Sequence, residues 1–411
     1  MNTRIIRKKA KASFGRLKDR LNILVLARKR APVFSRKYFQ IVAKVWNICR
    51  ARGLASRNAY LLGLYKPDIS LENGCPFISK KEMVKIQSTV NPGAWGRLTE
   101  DKSMFYRYCD LCGVPIPRLY AYFFRNRDGW SRDGAPLQTQ SDWVNFFQET
   151  AGEEFVIKPA RGVYGKMVKF FQRKNKEFFD IDGKSYSAQD LFNLMNNDCE
   201  FDDFIIQERI YDHPDLVELS DVNALQTLRM TTFFDARGKF RFLYASMKIM
   251  ARSTPEHNAS EQQAQNSAAD EKPRTGILRP TRLSADNFKI VGYCPVNLET
   301  GVFSSVAMMP PDRHGYVWTP AHPVTNHSIE GFQLPFWNEL LRIVEKAAYT
   351  FRPLRTIGWD VAMTEEGPRI IEGNVCWDPP SHSGCCFQTK CPYDFPGEWL
   401  KKQKVTDRSS H

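Results

Sequence analysis

The sequence predicts an α+β protein of two or three lobes with a basic helical N-terminal extension. Three observations predict it. The chain has 411 residues, 42% of them hydrophobic and 13% aromatic, which is enough for two or three lobes with packed cores. Segments of helical period alternate with strand-like ones, without an internal repeat. The excess charge sits at one end. Residues 1–52 hold 16 Lys and Arg and one acid, Asp19, while the remaining 359 residues hold 43 basic and 44 acidic side chains. The formal net charge of +14 therefore belongs to the extension, and the body is nearly neutral.

In the extension, Ile41, Val42, Val45, Trp46 and Cys49 fall at helical spacing. Two readings are open: a solvated scaffold packed on the body, or an arm for an anionic surface such as lipid headgroups or an acidic polymer. Nucleic acid is not favoured, because no nucleic-acid motif accompanies the charge. No run approaches the roughly 20 apolar residues of a membrane span. Residues 21–27 are followed by Arg28-Lys29-Arg30 and not by a small-residue cleavage site, so no secretory leader is expected. The ten cysteines are scattered. Cys109-x-x-Cys112 has half the spacing of a zinc site, but no second pair follows. Free structural thiols in a reducing, cytoplasmic setting are expected.

The body opens with alternating helical and extended pieces. Thr99-Glu100-Asp101-Lys102 begins a helix through Cys112, ended by Gly113, Pro115 and Pro117. Residues 119–124 read as a strand. Residues 154–159 are a short apolar strand ending in Lys158. The basic loop Arg161-Gly162-Val163-Tyr164-Gly165-Lys166 follows, and residues 167–172 return as a strand. Further strands are expected over 203–210, 225–234 and 240–250, with a turn at 235–238. Residues 252–275 contain no Ile, Leu, Val, Met, Phe, Tyr or Trp. They read as a mobile insertion, because they offer nothing to bury. Phe336, Leu340, Leu341, Val344, Ala347, Ala348 and Phe351 form one helical face. A hairpin follows, with strands over 356–363 and 368–375 turned by Glu365-Glu366-Gly367.

That hairpin carries the most chemistry. Asp360 lies in its first strand. Glu372 and Asn374 lie in the second, two residues apart and so on one face. Two carboxylates and an amide oxygen are hard ligands suited to Mg²⁺. A polar sheet face beside solvent is the plainer reading, and apolar Val361, Ile370 and Ile371 favour a cleft instead. Lys158, followed by a glycine-bearing loop, can hold phosphates, although neither Walker A nor Gly-x-Gly-x-x-Gly is present. His322, His327 and His382 lie in Pro- or Gly-containing loops and read as structural or positioning residues. Lys248 and Arg252 read equally well as facing the cleft or the surface. Trp377-Asp378 is a candidate for lining it.

The order of these elements resembles the ATP-grasp superfamily over roughly residues 70–385, most closely the sugar-transfer-associated ATP-grasp family. The residues that carry the resemblance are Asn223 to Arg229, Asp286-Asn287, Leu298-Glu299-Thr300-Gly301, His322-Pro323, and Ile357-Gly358-Trp359-Asp360 running into Glu372-Gly373-Asn374. The resemblance implies two α+β lobes clasping ATP. It implies that Lys102 and Lys158 contact the nucleotide phosphates and that the loop from Arg161, with Gly162 and Gly165, covers them. Gln207, Glu208 and Ile210 would form the hinge that meets adenine, and Asp212 or Asp215 would hold the ribose. Arg229 would neutralise the transferred phosphoryl group, and Asp360, Glu372 and Asn374 would bind Mg²⁺. The Gly-Gly that the family often carries after Asp-Asn is absent here.

The implied activity is ATP-dependent ligation. A carboxylate becomes an acyl phosphate and is joined to an amine, in the modification of a sugar, polysaccharide or peptide-like precursor. Two alternatives remain open at this point: an ATP-grasp phosphotransferase, and a catalytically silent ATP-binding module tethered to an anionic surface. The expected organisation is a basic arm over 1–65, a pre-ATP-grasp region over 66–150, a small lobe over 151–210, a large lobe over 211–390 and a tail over 391–411. The expected location is cytoplasmic, with residues 1–52 touching the inner face of a membrane.

Overall fold

In the computed structural model, which describes residues 18–52, 54–66, 80–125, 129–162, 167–222, 225–252, 288–308 and 315–378, the basic extension builds a small core of its own. Residues 18–27 are helical, followed by α1 (Arg36–Arg52) and α2 (Ser56–Leu61). Ile23, Ala27, Tyr38, Ile41, Val45, Ile48, Tyr60, Leu64 and Tyr65 pack together and are buried. The single acid of the extension is spent inside it. Asp19 accepts from the backbone N–H of Ser56 at 2.9 Å and from its hydroxyl at 2.7 Å, supplying the cap that Ala55 cannot. The module meets the body at Gly63 and Gly315, both at positive φ. A Cβ on either would stand 3.1–3.2 Å from the other's Cα.

Three helices lead into the body: α3 (Lys80–Val90), α4 (Gly93–Glu100) and α5 (Lys102–Leu111). The sequence reading began one helix at Thr99. Instead Thr99 and Glu100 close α4, and Asp101 is an extended N-cap that accepts from the Ser103 N–H at 2.9 Å.

The first sheet comprises β1 (Leu119–Phe124), β2 (Gly129–Ser131), β3 (Pro136–Leu137), β4 (Glu154–Pro159), β5 (Lys169–Lys174), β6 (Glu177–Asp180), β7 (Ser185–Tyr186) and β8 (Asp203–Glu208). Its order is β3-β2-β1-β8-β4-β5-β6-β7, antiparallel throughout. Alternation sorts its faces. Phe155, Ile157, Phe204 and Ile206 are buried against α6 (Gln140–Asn145), the π-helical turn Phe146–Thr150 that continues it, and α7 (Ala188–Asn196). Lys158, Ile205 and Gln207 take the opposite face.

A linker over 209–213 crosses to the second lobe, where the His213 N–H donates to the Met363 carbonyl at 2.7 Å. There lie α8 (Pro214–Ser220), β9 (Thr227–Phe234), β10 (Phe240–Arg252), β11 (Phe288–Val296), β12 (Val306–Met308), β13 (Val317–Thr319), α9 (Trp337–Thr350), β14 (Thr356–Thr364) and β15 (Gly367–Asn374). The second sheet runs β13-β12-β11-β10-β9-β14-β15. One face buries Leu228, Met230, Met247, Trp359 and Val361 in the core that contains Val344, Ala347 and Ala348 of α9. In α9 and at its C-cap the expected residues Leu340, Val344, Ala347, Ala348 and Phe351 are buried, whereas Phe336 is exposed and Leu341 half-buried, and Trp337 and Ile343 complete the buried face in their place.

The expected boundary at residue 150 does not separate lobes. β1 pairs with β8, so β1, β2 and β3 belong to the same sheet as β4 to β8. Within the same expected region, α3 is tied to the other lobe. The Gln87 amide donates to the Trp377 carbonyl and the Asn91 amide to the Thr356 carbonyl, both at 2.9 Å. The expected insertion from 253 onward, residues 163–166 of the glycine loop and the tail from 391 lie outside the described residues.

Candidate functional site

The inner face of the second sheet carries a polar row set by register. Ser246 stands opposite Arg229, Arg229 opposite Asp360, and Asp360 opposite Glu372. Thr227 and Lys248 lie two residues from Arg229 and Ser246, so they share that face. The contacts follow the register. Arg229 grips Asp360 with two parallel bonds, Nε to Oδ1 at 2.6 Å and Nη2 to Oδ2 at 3.0 Å. The Lys248 ammonium donates to Thr227 Oγ1 at 2.8 Å and stands 3.4 Å from Asp360 Oδ2. Asn374 Nδ2 donates to Glu372 Oε1 at 3.3 Å.

Burial works against the charge of both Asp360 and Arg229. Each nevertheless favours its charged form, because the other's opposite charge outweighs the loss of water, aided for Asp360 by Lys248. Asp360 is thus held well below the usual carboxylate range, and Arg229 well above the usual guanidinium range.

Two lysines reach this row from the other side. Lys102, in the first turn of α5, donates to the Gly162 carbonyl at 3.1 Å and lies 3.8 Å from Glu372 Oε2. Lys158 is buried at the end of β4. Its ammonium donates to the Tyr106 hydroxyl at 3.1 Å and sits 4.9 Å from the centre of that ring. Tyr106 in turn donates to the Ile371 carbonyl at 3.1 Å, which links the lysine to β15. Burial, and then the like charge of Lys102, bring the Lys158 ammonium down to about 7, against the pull of Glu372.

The structure therefore brings Lys102, Lys158, Gly162, Arg229, Asp360, Glu372 and Asn374 together. Gln207 joins them from β8. Its Oε1 is buried with no partner among the described residues, an acceptor open to a ligand N–H. Glu208 ends β8, where its N–H donates to the Arg118 carbonyl, and half-buried Ile210 lies in the linker. Arg161 is not drawn into the cluster. It is 70% exposed and bonds Asp101 at 2.9 Å, with Asp203 at 3.5 Å, so it anchors the base of the loop. Asp215 is exposed in the first turn of α8, where its N–H donates to His213 Nδ1. Asp212 is buried and accepts from the Gln226 N–H at 2.9 Å, and burial raises its carboxyl to about 7. It braces the linker. Gly165 lies outside the described residues.

Two participants escaped the sequence reading or were left undecided by it. Tyr106 is one turn after Lys102 on the same helix face, so helical spacing alone pairs it with that lysine. Lys248 needed the β9–β10 register. Other candidates turn out to be structural. His322 is buried, with Nδ1 accepting two backbone N–H groups and Nε2 bonded to the Met250 carbonyl at 2.9 Å. His327 bonds the Glu218 carbonyl at 2.8 Å. Trp377 is buried and donates to Thr356 Oγ1 at 3.1 Å, so it supports the cleft from beneath and does not line it. His382 lies outside the described residues.

A metal at this row would be held sparingly. Among the described residues no three His, Cys, Asp or Glu side chains are grouped to hold an ion. Asp360 has both oxygens engaged, whereas Glu372 and Asn374 are half-exposed and retain free oxygen valence. This donor set fits Mg²⁺, which takes one or two carboxylates and completes its shell with phosphate and water.

Gly358 shows how tightly the row is supported. A Cβ there would lie 2.7 Å from the Trp377 Cβ and 3.3 Å from the Arg229 Cδ. Gly358→Ala should therefore destabilise the fold by about 1–3 kcal/mol in urea unfolding, by pressing on Trp377 and Arg229. An unchanged value would show that the site yields freely.

No curated protein matches the chain. Among solved structures, it resembles the L-amino acid ligase from Bacillus licheniformis at 8% identity and TM-score 0.34, over 72% of this chain and 46% of that one. It resembles the VanG D-Ala:D-Ser ligase from Enterococcus faecalis at 10% identity and TM-score 0.38, over 75% and 64%. It resembles the D-alanine–D-alanine ligase from Bacillus anthracis at 12% identity and TM-score 0.39, over 80% and 76%. The chain thus spans about half the length of the first and just under two thirds of the second. The family model described as sugar-transfer associated ATP-grasp matches residues 83–264 and 278–379, well over half of the sequence. With two antiparallel sheets joined by a short linker and facing each other across cationic side chains, the chain belongs to the sugar-transfer associated ATP-grasp family.

Proposed function

We propose that this chain is an ATP-dependent ligase that converts a carboxylate to an acyl phosphate and joins it to an amine, with a sugar, polysaccharide or peptide-like precursor as substrate. The observation that carries the reading is the convergence of Lys102, Lys158, Arg229 and Lys248 around Asp360 and Glu372 between two sheets. Such a cluster is charge-matched to a triphosphate and to a phosphoryl group in transfer. Lys102 and Lys158 hold the phosphates. Arg229 uses Nε and Nη2 on Asp360, which fixes its plane and leaves Nη1 for a phosphoryl oxygen. Glu372 and Asn374, with Asp360 behind them, would hold Mg²⁺, which when bound supplies Lewis-acid neutralisation of phosphate oxygens. Burial of Lys158, Gln207 and Asp360 keeps water away from the reacting carboxylate.

The test is incubation with Mg·ATP, a cell extract and hydroxylamine. Substrate-dependent acyl hydroxamate with ADP, and a new amide by mass when hydroxylamine is omitted, are expected. A stable phosphorylated product would make the protein a phosphotransferase. Nucleotide binding without turnover on any acceptor pool would make it a silent module.

A further inference from the structure

The helix over 18–27 is apolar on both sides. Ile23 and Ala27 enter the core of the extension, while Leu21, Leu24 and Val25, at helical spacing, face water at 55%, 42% and 47% exposure. The loop that follows adds Val33 and Phe34, the latter 79% exposed, and α1 adds Phe39. Tyr38 links the exposed rings to the helix over 18–27. Phe34 lies 6.2 Å from Phe39 and 6.5 Å from Tyr38, ring to ring, and the Tyr38 hydroxyl bonds the Leu24 carbonyl at 3.2 Å. Phe34 also holds a φ of +64°, a strained conformation for an aromatic residue that pushes it out at the tip.

The charge around these side chains has one sign. Arg20, Arg28, Lys29, Arg36 and Lys37 are exposed in the same segment, Arg20 over the Trp46 ring and Lys29 over that of Tyr60. No acid occurs between residues 20 and 52, and Asp19 is consumed by Ser56. The N-terminus of α1, which favours anions, opens at the same tip. Residues 1–17 add six more Lys and Arg and no acid to the sequence.

We infer that residues 20–40 form an interfacial membrane anchor. In it Leu21, Leu24, Val25, Val33, Phe34 and Phe39 enter the acyl boundary, and the surrounding Arg and Lys engage anionic headgroups. Apolar insertion combined with basic flanks is the chemistry of a monotopic surface. A soluble polyanion would match the charge and leave six large apolar side chains in water. The inference stands apart from the ligase reading, because vesicle binding is measured without nucleotide.

The full chain should co-sediment with phosphatidylcholine vesicles containing phosphatidylglycerol and not with phosphatidylcholine alone. Leu24→Ser combined with Phe34→Ser should lower that binding at least about tenfold while leaving circular dichroism and nucleotide affinity unchanged, since both side chains are exposed. Arg28→Glu with Lys37→Glu should lower it as well. Phe34→Trp should show blue-shifted emission only with the anionic vesicles. Wild-type vesicle binding by the serine variant would overturn the anchor in favour of a purely ionic contact. A dimer in light scattering that the serine variant dissociates, with no vesicle binding by wild type, would make these side chains a self-association surface.

Discussion

Arg229→Ala should cost roughly 3–5 kcal/mol of unfolding free energy and abolish nucleotide-dependent turnover. Asp360 is buried with both oxygens on Arg229, and Lys248 alone, at 3.4 Å from one oxygen, cannot replace a bidentate partner. The variant leaves a buried carboxylate without its counter-charge, the costly half of a broken pair. The double variant Arg229→Met with Asp360→Leu separates stability from function. Replacing both charges by apolar groups removes the desolvation cost along with the attraction, so urea unfolding should return close to wild type while turnover stays lost. If the single variant keeps wild-type stability, the pair is not buried in solution. If it keeps turnover, Arg229 has no part in the reaction.

Lys158→Met should raise stability and remove nucleotide binding. The sign follows from the direction of the shift. Burial and Lys102 bring the folded-state value down to about 7, below the ordinary lysine value near 10.5. Between those two values the unfolded chain binds more protons than the folded one, so stability rises with pH across that window, and below about pH 7 the penalty is present in full. Methionine removes the penalty. The gain should be as much as roughly 3–5 kcal/mol at pH 7, and the alkaline rise should flatten. Binding has a matching signature. A polyphosphate placed against Lys158 raises its proton affinity, so the protein should take up protons on binding near pH 8. Affinity should then fall as pH rises above about 7. Calorimetry in buffers of different ionisation enthalpy measures that uptake. The groups that face Lys158 are Lys102 and Tyr106 from α5 and Glu372 from β15. A wild-type affinity that is flat from pH 7 to 9 would mean that Lys158 is already charged before the nucleotide arrives.

A position at odds with stability is expected where a residue serves chemistry. Lys158 ends a strand whose neighbours Phe155 and Ile157 are entirely buried. An apolar residue would suit the packing. The lysine costs the fold stability, a cost that the proposed role in holding phosphate would explain.

Much of this site could be read from local pattern. Strands over 119–124, 154–159 and 356–363 announce themselves as short apolar runs flanked by Gly and Pro, and side chains along a strand repeat their face every two residues. The same period placed Glu372 and Asn374 on one face, and the ordered spacing of several motifs pointed to the family. Register between strands was not readable. Asp360 meets Arg229 from 131 residues away, and Lys248 enters only because β10 pairs with β9. Such pairings cost loop entropy and are decided by the whole sheet, so no window of sequence contains them.

Sequence alone determined the α+β class, the family, the uneven distribution of charge and the types of residue available for chemistry. Tertiary structure decided what those residues are bonded to. It gave β1, β2 and β3 to the first sheet, committed Asp360 to Arg229, tied Arg161 to Asp101 and buried Lys158 beside Tyr106. It also turned the basic extension into a packed module whose outer face shows Leu24 and Phe34 to water. The physical reason is common to all of these. Charge and hydropathy are properties of single side chains, whereas desolvation and pairing arise only when distant segments close on one another.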